Sequence, residues 1–411
     1  MKDSENCDKK TILMLSWEYP PEIIGGLARH VHGVSIELAR IDLQIHILTS
    51  SHSDSTGYER VREVHIHRVS PLNVRDPDFL SWIGGFNLAV IEEASRIAKH
   101  VQFDIVHAHD WMTGPAAEYI SKTLNIPLIA TIHGTEFGRN NGIFTELQQF
   151  ILKKENELIN QADELIVCSG FMENEVHSLF KVPKDRITVI PNGARLDEND
   201  QPEFEITEIY PFLTDKKLIF SMGRMVREKG FDTLLDAAYL MRKQQDLCFV
   251  IAGNGPLLET YRERAAQMGL EERVYLIGFV NDEIRDALLR KSHIAVFPSD
   301  YEPFGLAAAE ALTLGIPTIL AKTGGMQELI EEYKTGFYMQ PGDEKSLASS
   351  LEWILGNPSL AKEIAKTGRD TVSQRFSWAQ NAQATNRLYK RLLSSKAKRR
   401  VFNEDECLSP N

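Results

Sequence analysis

Residues 217–231 read KLIFSMGRMVREKGF, and residues 11–31 read TILMLSWEYPPEIIGGLARHV. Each stretch begins with a short apolar run, continues into a loop that contains glycine, and then enters a helical pattern. A run that is apolar on both faces is typical of a strand buried in a parallel sheet. The loop after such a strand lies at the carboxyl end of the sheet, where α/β proteins bind ligands. The two stretches therefore predict two strand–loop–helix units of the doubly wound type.

The same alternation of strand and helix extends along both halves of the chain. In the first half, strands are predicted at 11–17, 44–50, 64–69, 104–109, 127–134, 164–170 and 187–193. In the second half, they are predicted at 217–223, 248–254, 274–280, 294–299, 317–322 and 335–340. Helices are predicted at 28–40, 144–162, 231–245 and 306–315. This pattern predicts an α/β protein with two Rossmann-like, doubly wound domains that face each other across a cleft.

The length of the chain supports two domains. It has 411 residues, and single cores rarely grow beyond about 250–300 residues. The segment 196–215 is acidic, contains proline and lacks periodicity, so we predict an interdomain linker there. The predicted domains are 1–200 and 201–375. Residues 376–411 are predicted to form a helix that packs back toward the first domain and a basic tail.

Composition excludes several classes of protein. The formal net charge of −12 argues against a general nucleic-acid binder. No apolar run reaches the roughly 18 residues of a membrane span, and the amino terminus is too mixed for a secretory signal. The four cysteines show no CxxC spacing, and Cys168 and Cys248 lie in apolar strand-like runs. We therefore predict a cytoplasmic protein with inert core thiols.

The loop after the first predicted strand contains Gly25 and Gly26. Two glycines let backbone N–H groups approach an anion, and a helix amino terminus favours negative charge. An ordinary tight turn explains the same residues equally well, so phosphate binding remains one of two interpretations.

The corresponding loop of the second half contains Arg224 and Lys229. Two cations at the carboxyl end of a strand can hold a diphosphate and stabilise a leaving nucleotide. A solvated charged loop is the alternative, because Arg227 and Glu228 lie beside them.

The sequence SDYEPFGLAAAEAL (299–312) is more specific. Glu302 precedes a predicted helix that begins near Gly305, and Glu310 lies within that helix. A glutamate in an Ala- and Leu-rich helix is costly to bury without a partner, so a bland surface role is the weaker interpretation. The backbone N–H groups of Phe304, Gly305 and Leu306 can bind a phosphate, and the carboxylates can accept hydrogen bonds from sugar and ribose hydroxyls.

A dinucleotide fingerprint is incomplete in AGNGPLLE (252–259), because Leu258 occupies the third glycine position. We interpret this segment as a loop that faces the nucleotide through Gly253. His65, His67, His107 and His109 alternate on predicted strands, and most of them are predicted to be structural. No histidine spacing with a nearby carboxylate recurs, so no metal site and no cofactor are predicted.

These motifs, together with His133-Gly134 and Pro191-Asn192-Gly193, occur in order over roughly 300 residues. The ordered set resembles a retaining GT-B glycosyltransferase of the glycogen-synthase-like family, the glycosyltransferase family 4 type. That family also includes bacterial polysaccharide and glycolipid mannosyl- and glucosyltransferases. The resemblance implies a nucleotide-sugar donor, a carbohydrate or glycolipid acceptor, and no metal. It also implies that the domain 1–200 lies on the acceptor side and that the domain 201–375 binds the nucleotide-sugar.

The resemblance also implies roles for single residues. Arg224 and Lys229 would bind the donor diphosphate, Glu302 the donor sugar, and His133 the sugar near its reacting carbon; these four form the expected catalytic set. The remaining donor-side residues would be Gly25, Gly26, Asn192, Gly253, Gly278, Phe279, Phe304, Gly305, Leu306 and Glu310. Asp110, Trp111 and Arg139 would line the sugar and acceptor side.

One position departs from the family pattern. Glycogen synthases proper carry a lysine two residues before the glycine pair, and this chain has Ile23 there. The change removes one donor or glucan contact and argues against a plain glycogen synthase. The resemblance implies attack on the same face of the sugar, with the departing phosphate taking the acceptor proton and domain closure excluding water.

Two rival functions remain open from the sequence: a nucleotide-sugar epimerase on the same fold, and a non-catalytic binding or scaffold protein. Within the transferase interpretation, the acceptor is either a soluble glucan or polysaccharide, or a lipid-linked molecule. The basic segment 388–400 leaves a peripheral membrane contact open, although a solvated tail is the simpler interpretation.

Overall fold

The computed structural model describes residues 9–51, 56–72, 78–194 and 204–406, with the side chains of 396–406 excepted. The chain divides into two compact units. Unit 1 comprises Met1–Gly193 and Trp378–Asn411, and unit 2 comprises Ala194–Ser377. No helix in the described part of the chain is long and apolar enough to span a membrane.

Unit 1 is built on an eight-stranded sheet in the order β3-β4-β2-β1-β5-β6-β7-β8. Its strands are β1 (Thr11–Leu15), β2 (Gln44–Ser50), β3 (Gly57–Val61), β4 (Val64–Val69), β5 (Ile105–His109), β6 (Leu128–Ile132), β7 (Glu164–Val167) and β8 (Ile187–Val189). Its helices between these strands are α1 (Gly26–Arg40), α2 (Phe79–Ile97), α3 (Gly114–Leu124), α4 (Glu136–Asn140), α5 (Glu146–Gln161) and α6 (Gly170–Phe180).

Unit 2 has a six-stranded, all-parallel sheet in the order β11-β10-β9-β12-β13-β14. The strands are β9 (Lys217–Met222), β10 (Leu247–Ala252), β11 (Val274–Gly278), β12 (Ile294–Phe297), β13 (Thr318–Ala321) and β14 (Phe337–Met339). The helices are α7 (Ile206–Ile209), α8 (Phe231–Leu240), α9 (Leu258–Gln267), α10 (Asp282–Lys291), α11 (Leu306–Thr313), α12 (Glu344–Gly356) and α13 (Pro358–Arg375).

The last helix, α14 (Trp378–Glu406), belongs to unit 1 and packs on α1. Trp378, its first residue, packs tightly against two glycines of unit 1. A Cβ at Gly33 or at Gly193 would lie 2.4 Å from the indole ring. Further along α14, the Tyr389 hydroxyl lies 2.7 Å from Nδ1 of His107 on β5. The carboxyl-terminal helix therefore contributes directly to the core of unit 1.

The predicted doubly wound α/β class is confirmed, and both cores consist of strands buried on both faces. One strand was not expected. β3 runs antiparallel to β4 at the edge of the sheet, and every residue in it is exposed. Because its sequence GYERV is polar, it lacks the apolar signal by which the other strands were found.

The predicted linker at 196–215 needs correction. Residues 195–203 lie outside the described residues, but the rest of the segment is structured. It forms α7 and a 3-10 turn at Pro211–Leu213, and Ile206 and Leu213 are buried. These apolar side chains give the segment enough buried area to fold onto unit 2.

Both sheets reverse their strand order at one place. In unit 1, β1 lies between β2 and β5, and in unit 2, β9 lies between β10 and β12. Loops that leave the carboxyl ends of two such strands turn away from each other and leave a crevice, which is the usual ligand site of this architecture. The loops after β1 and β5, and those after β9 and β12, are therefore the expected ligand-binding loops of the two units.

Candidate active site

In unit 2, the loops after β9 and β12 meet in an ion pair. Lys229 Nζ lies 2.6 Å from Oε2 of Glu302, with side chains 22% and 16% exposed. Lys229 follows β9 and Glu302 follows β12, so the pair lies at the strand-order reversal. The Ser299 hydroxyl is a more distant third partner, 3.4 Å from the same oxygen.

Two glycines allow these loops to approach so closely. Gly230 has φ +65°, and a Cβ there would lie 2.1 Å from the carbonyl oxygen of Pro298. Gly324 has φ +52°, and a Cβ there would lie 2.1 Å from the carbonyl oxygen of Glu302. Only glycine fits such positions without displacing the backbone opposite. The Gly325 N–H then donates to the Glu302 carbonyl at 2.8 Å, which fixes the loop.

The helix after Glu302, α11, begins at Leu306, as predicted. Gly305 is its amino-terminal cap with φ +99°. Phe304 is buried and meets Phe376 edge to face at 5.5 Å. The first N–H groups of a helix have no partner within it, so this end of α11 offers donors beside Glu302.

Glu310, inside α11, has a partner that the sequence did not reveal. Arg285 on α10 lies 3.9 Å from Oε2 of Glu310, and it also pairs with Asp286 and Asp282. Burial disfavours the Arg285 charge, but these carboxylates outweigh that effect and raise its pKa further. The charge of Arg285 offsets the cost of burying a glutamate in this helix. The Glu310 side chain is 13% exposed, so the prediction that it is not a plain surface acid is confirmed.

The other residues of unit 2 that the sequence analysis expected to bind the donor lie in loops at the carboxyl ends of β9, β10 and β11. Arg224 is partly exposed and pairs with Glu228 at 3.3 Å. The Gly253 N–H donates to the Gly278 carbonyl at 2.7 Å, and a Cβ on Gly253 would lie 1.8 Å from the carbonyl oxygen of Gly223. This glycine therefore lets the loop after β10 pack against the loop that carries Arg224. Phe279 is 66% exposed.

In unit 1, the glycine-containing loop after β1 is organised by a carboxylate. Glu18 is buried and accepts N–H groups from Ile24, Gly25 and Ala28 at 2.6, 3.0 and 3.2 Å. The negative charge at the amino terminus of α1 is thus supplied by the chain itself, which is favourable there. Gly26 is the first residue of that helix.

A cluster of three histidines lies near the carboxyl ends of β5 and β6, with His30 and His109 buried and His133 partly exposed. His30, His109 and His133 each place one ring nitrogen within 4.8 Å of the others. His30 Nδ1 lies 2.8 Å from Asn192 Oδ1, and His109 Nδ1 lies 3.2 Å from His133 Nε2. His107 is fixed separately between Tyr389 and Thr131, as expected for a structural histidine.

Burial keeps these imidazoles neutral. It lowers the pKa of His133 to about 3, and the Arg139 charge lowers it further. Burial and the neighbouring histidines also lower the pKa values of His30 and His109 well below the usual range. Neutral rings can accept a hydrogen bond from a sugar hydroxyl, and they are also the form that binds metals. The sequence spacing did not show this convergence, because the histidines come from three separate elements.

Asp110 holds the backbone next to His133. Its Oδ1 accepts the His133 N–H at 2.8 Å. Asp110 has φ 60° and ψ 171°, a region that is essentially reserved for glycine and costs about 1–3 kcal/mol. Such strain is concentrated at functional sites. Here it directs the chain from β5 into the Trp111–Thr113 turn while the carboxylate stays on His133.

Trp111 is the centre of an aromatic cluster. It is buried with Ile83, Met112 and Ile151, and Phe79 and Phe150 approach its ring edge to face at 6.4 Å each. Phe79 and Phe150 are partly exposed, so the cluster reaches the surface of unit 1. Arg139, on α4, pairs with Glu136 at 4.0 Å.

Comparison with known proteins identifies the chain. The model of "Glycosyltransferase Family 4" matches residues 24–198, and that of "Glycosyl transferases group 1" matches residues 203–371. The glycogen synthase of Mycobacterium tuberculosis is 31% identical over 394 residues, covering 92% of this chain and 94% of that protein. The chain belongs to the glycogen-synthase-like glycosyltransferases of the family 4 type. It is an enzyme that transfers a sugar from a nucleotide-sugar donor.

Solved structures show that the glycosyltransferase has the GT-B fold. Sucrose-phosphate synthase from Thermosynechococcus elongatus matches with a TM-score of 0.82 at 22% identity, over 94% of this chain and all of that one. The Anabaena protein HepE, solved with UDP and glucose, matches with a TM-score of 0.75 at 19% identity, over 93% of this chain and all of that one.

The sequence missed several residues that shape the sites of this glycosyltransferase. Glu18, Arg285 and Gly324 belong to this group, as do the two glutamates Glu155 and Glu175 described below. Each acts on backbone or on a side chain outside its own strand or helix, so no local motif reveals it. The signal available for Glu155 was its helical spacing of four residues from Ile151 and Ile159 on the buried face of α5.

Proposed function

We propose that this glycosyltransferase moves a hexose from a nucleoside-diphosphate sugar to an acceptor hydroxyl with retention of anomeric configuration, in polysaccharide or glucan synthesis. The observation that carries the proposal is the 2.6 Å pair of Lys229 and Glu302 beside the amino terminus of α11. It combines a cation for the diphosphate, a carboxylate for sugar hydroxyls and free N–H donors in one place.

The chemistry of bond cleavage requires these groups. As the bond between the anomeric carbon and the phosphate oxygen breaks, negative charge builds up on the leaving diphosphate. Lys229, Arg224 and the α11 amino terminus stabilise that charge more than they stabilise the intact donor, and this difference lowers the barrier. Glu302 orients the sugar, and Glu310, held by Arg285, binds the ribose hydroxyls.

The proposed mechanism of retention uses no carboxylate nucleophile. Asp110 and Glu155 instead hold backbone, because they accept the N–H groups of His133 and Glu136. In the proposed reaction the acceptor oxygen attacks the anomeric carbon on the face that the phosphate leaves. The acceptor proton passes to the departing phosphate oxygen, and the neutral His133 imidazole accepts a hydrogen bond from the sugar.

A carbohydrate acceptor fits the surface next to this histidine. Trp111 follows Asp110 directly, and Phe79 and Phe150 extend its aromatic surface outward. Sugar rings present apolar C–H faces that pack on aromatic side chains, while polar groups at the rim fix their orientation. Arg139 supplies a polar group of this kind, and Ile23 leaves the position of the glycogen-synthase lysine apolar.

The deciding experiment begins with the donor. Purified protein is heated with UDP-, ADP- and GDP-hexoses, and the true donor raises the melting temperature, since a ligand at 100 times its Kd adds about 2.7 kcal/mol. That donor is then incubated with a maltooligosaccharide series. NMR of the product is expected to show a new glycosidic bond with the anomeric configuration of the donor. Inverted product contradicts retention, and a new sugar nucleotide with no glycosylated acceptor establishes an epimerase instead.

Transfer to a lipid-linked acceptor is the other outcome of the same screen. In the basic segment that suggested it, Leu388, Tyr389 and Leu392 are buried, and the side chains from residue 396 onward lie outside the described ones. Cosedimentation with anionic vesicles, compared between the full chain and a variant lacking residues 396–411, tests it. We expect no difference, together with transfer to soluble oligosaccharide. Tail-dependent binding combined with transfer to a lipid only would replace the glucan proposal.

A further inference from the structure

The turn between β6 and α4 carries His133 at one end and leads to Arg139. Carboxylates from three different elements hold it. Asp110, after β5, accepts the His133 N–H. Glu175, on α6, accepts the Thr135 hydroxyl at 2.7 Å. Glu155, on α5, accepts the Glu136 N–H at 2.8 Å.

Glu155 is the most deeply buried of the three, with 2% of its surface exposed. Its Oε1 accepts the Glu136 N–H, which is the first N–H of α4 and has no partner within that helix. Its Oε2 is buried and has no hydrogen-bond partner among the described residues. A buried carboxylate with one oxygen unsatisfied is costly, so its presence in an amphipathic helix calls for a role at the site.

We propose that Glu155 is a positioning residue for sugar transfer, which fixes the turn from His133 to Arg139 by holding the Glu136 N–H. Its side chain reaches neither the sugar nor the phosphate and acts through the backbone. The Thr135 cap strengthens the same arrangement, because its oxygen accepts the Gly138 N–H at 2.9 Å while its hydroxyl donates to Glu175.

The protonated form of Glu155 performs this function. Burial raises the pKa of Glu155 to about 8, and this outweighs the lowering effects of Arg139 and of the Glu136 N–H. The other charges acting on it are the carboxylates of Asp110 and Glu136, which raise the pKa further. On the side of α3, Gly114 lies next to Leu158, and no charged residue of α3 acts on the pKa of Glu155. A neutral carboxyl keeps one oxygen as acceptor and avoids a buried, uncompensated charge next to Asp110.

Glutamine reproduces the shape and the acceptor of a protonated glutamate, so the test compares three variants. Glu155→Gln keeps the contact, Glu155→Ala removes it, and Glu157→Gln is the matched control. Glu157 lies on the same helix, is 42% exposed and pairs with Lys154. Acceptor-dependent kcat and KM, and affinity for UDP, ADP and GDP, are measured for each.

We expect Glu155→Gln and the control to keep kcat/KM within about threefold of the wild type. Glu155→Ala is expected to lose on the order of 100-fold in kcat/KM, because a small displacement of the turn that carries His133 can cost that much. The affinity for the nucleotide is expected to be unchanged. Wild-type activity is expected to decline as the pH rises through about 8, the pKa of Glu155, and that decline is expected to be absent in Glu155→Gln.

Either of two results overturns the proposal. One is a folded Glu155→Ala protein with wild-type kcat/KM. The other is a Glu155→Gln protein that folds but is as impaired as Glu155→Ala, because the charged form would then be required. If Glu155→Ala does not fold, the Glu155→Gln activity and its pH profile still decide. Failure of sugar transfer in the wild type would contradict the proposed function itself and is read separately.

Discussion

Lys229 and Glu302 are 73 residues apart in the chain, yet their side chains lie 2.6 Å apart at the strand-order reversal of unit 2. The cation comes from the loop after β9 and the carboxylate from the loop after β12. Each neutralises the other before a donor arrives, so both are held in place without an unpaired charge. In the proposed reaction, the diphosphate then binds Lys229 and the sugar binds Glu302.

Replacing either member of this pair should reduce catalysis. Lys229→Ala and Glu302→Ala are each expected to lower kcat/KM by roughly 10²–10³-fold, because groups that stabilise developing charge are lost. The double variant should lose less than the product of the single effects, because the two residues act together. Arg227→Ala, which removes an exposed cation of the same turn, is the control and should retain near-normal activity. Fully multiplicative effects would show that the two side chains act independently.

Removing Arg285 should destabilise the protein and weaken donor binding. Arg285→Met leaves Glu310, Asp286 and Asp282 without their cation. We expect a loss of about 2 kcal/mol in the free energy of unfolding, below the roughly 3–5 kcal/mol of a fully buried pair, since these carboxylates keep some solvent contact. Urea denaturation and donor KM measure the two effects.

The control for Arg285 is Arg290→Met, an exposed arginine on the same helix. Adding Glu310→Gln to Arg285→Met should recover part of the lost stability, because it removes the charge of a carboxylate that has lost its contact with Arg285. Equal stability of Arg285→Met and Arg290→Met would show that the Arg285–Glu310 contact contributes nothing.

Two glycines with the same φ separate the effect of backbone strain from that of steric crowding by a neighbouring atom. Gly230 and Gly269 both have φ +65°, but a Cβ at Gly230 would lie 2.1 Å from the Pro298 carbonyl oxygen, and one at Gly269 meets nothing within 4 Å. Alanine at either position costs about 1–2 kcal/mol in left-handed backbone. Gly230→Ala should lose more stability than Gly269→Ala and should also lose activity, because it moves the loops of Lys229 and Glu302 apart. Similar behaviour of the two variants would contradict this explanation.

Glu155 should make stability depend on pH in a defined direction. Its pKa rises from the usual 4.5 to about 8 in the folded protein, so between these values the folded state holds a proton that the unfolded state lacks. Stability relative to Glu155→Gln should therefore fall as pH rises through this window, by on the order of 1 kcal/mol per unit. Urea denaturation of both proteins at several pH values gives the difference. The buried histidines affect both proteins alike, and a constant difference would show that Glu155 is charged.

Transfer activity should not depend on a metal. Dialysis against EDTA is expected to leave kcat/KM unchanged, because Lys229, Arg224 and a helix terminus provide the charge that would bind the diphosphate. Elemental analysis of the purified protein should find no stoichiometric metal. Loss of activity with EDTA and recovery with one divalent ion would instead assign a metal to His30, His109 and His133, the three histidines whose ring nitrogens converge.

Much of the architecture could be predicted from the sequence, and the reason is local. Parallel strands buried on both faces leave continuous apolar runs, so all but one of the described strands could be read from the chain. β3 was missed because an exposed edge strand has no such run. Glu302 and Lys229 could be found because each lies in a loop that directly follows a strand.

The supporting residues could not be predicted in this way. Arg285 and Glu18 act on partners that the chain brings near only after folding, and Glu155 acts on a backbone N–H of another helix. A sequence pattern reports which residues follow a strand or share a helix face. It does not report which side chain of one element reaches the backbone of another.

The sequence by itself therefore determined the two doubly wound domains and the positions of the residues in the loops at strand ends, because hydrophobic periodicity and chain order fix both. Only the tertiary structure decided how those residues are paired and protonated. It placed Lys229 on Glu302 and Arg285 beside Glu310, and it desolvated His133 and buried Glu155 enough to keep both neutral. Distance and burial set electrostatic energies, and both arise only when separate elements pack together.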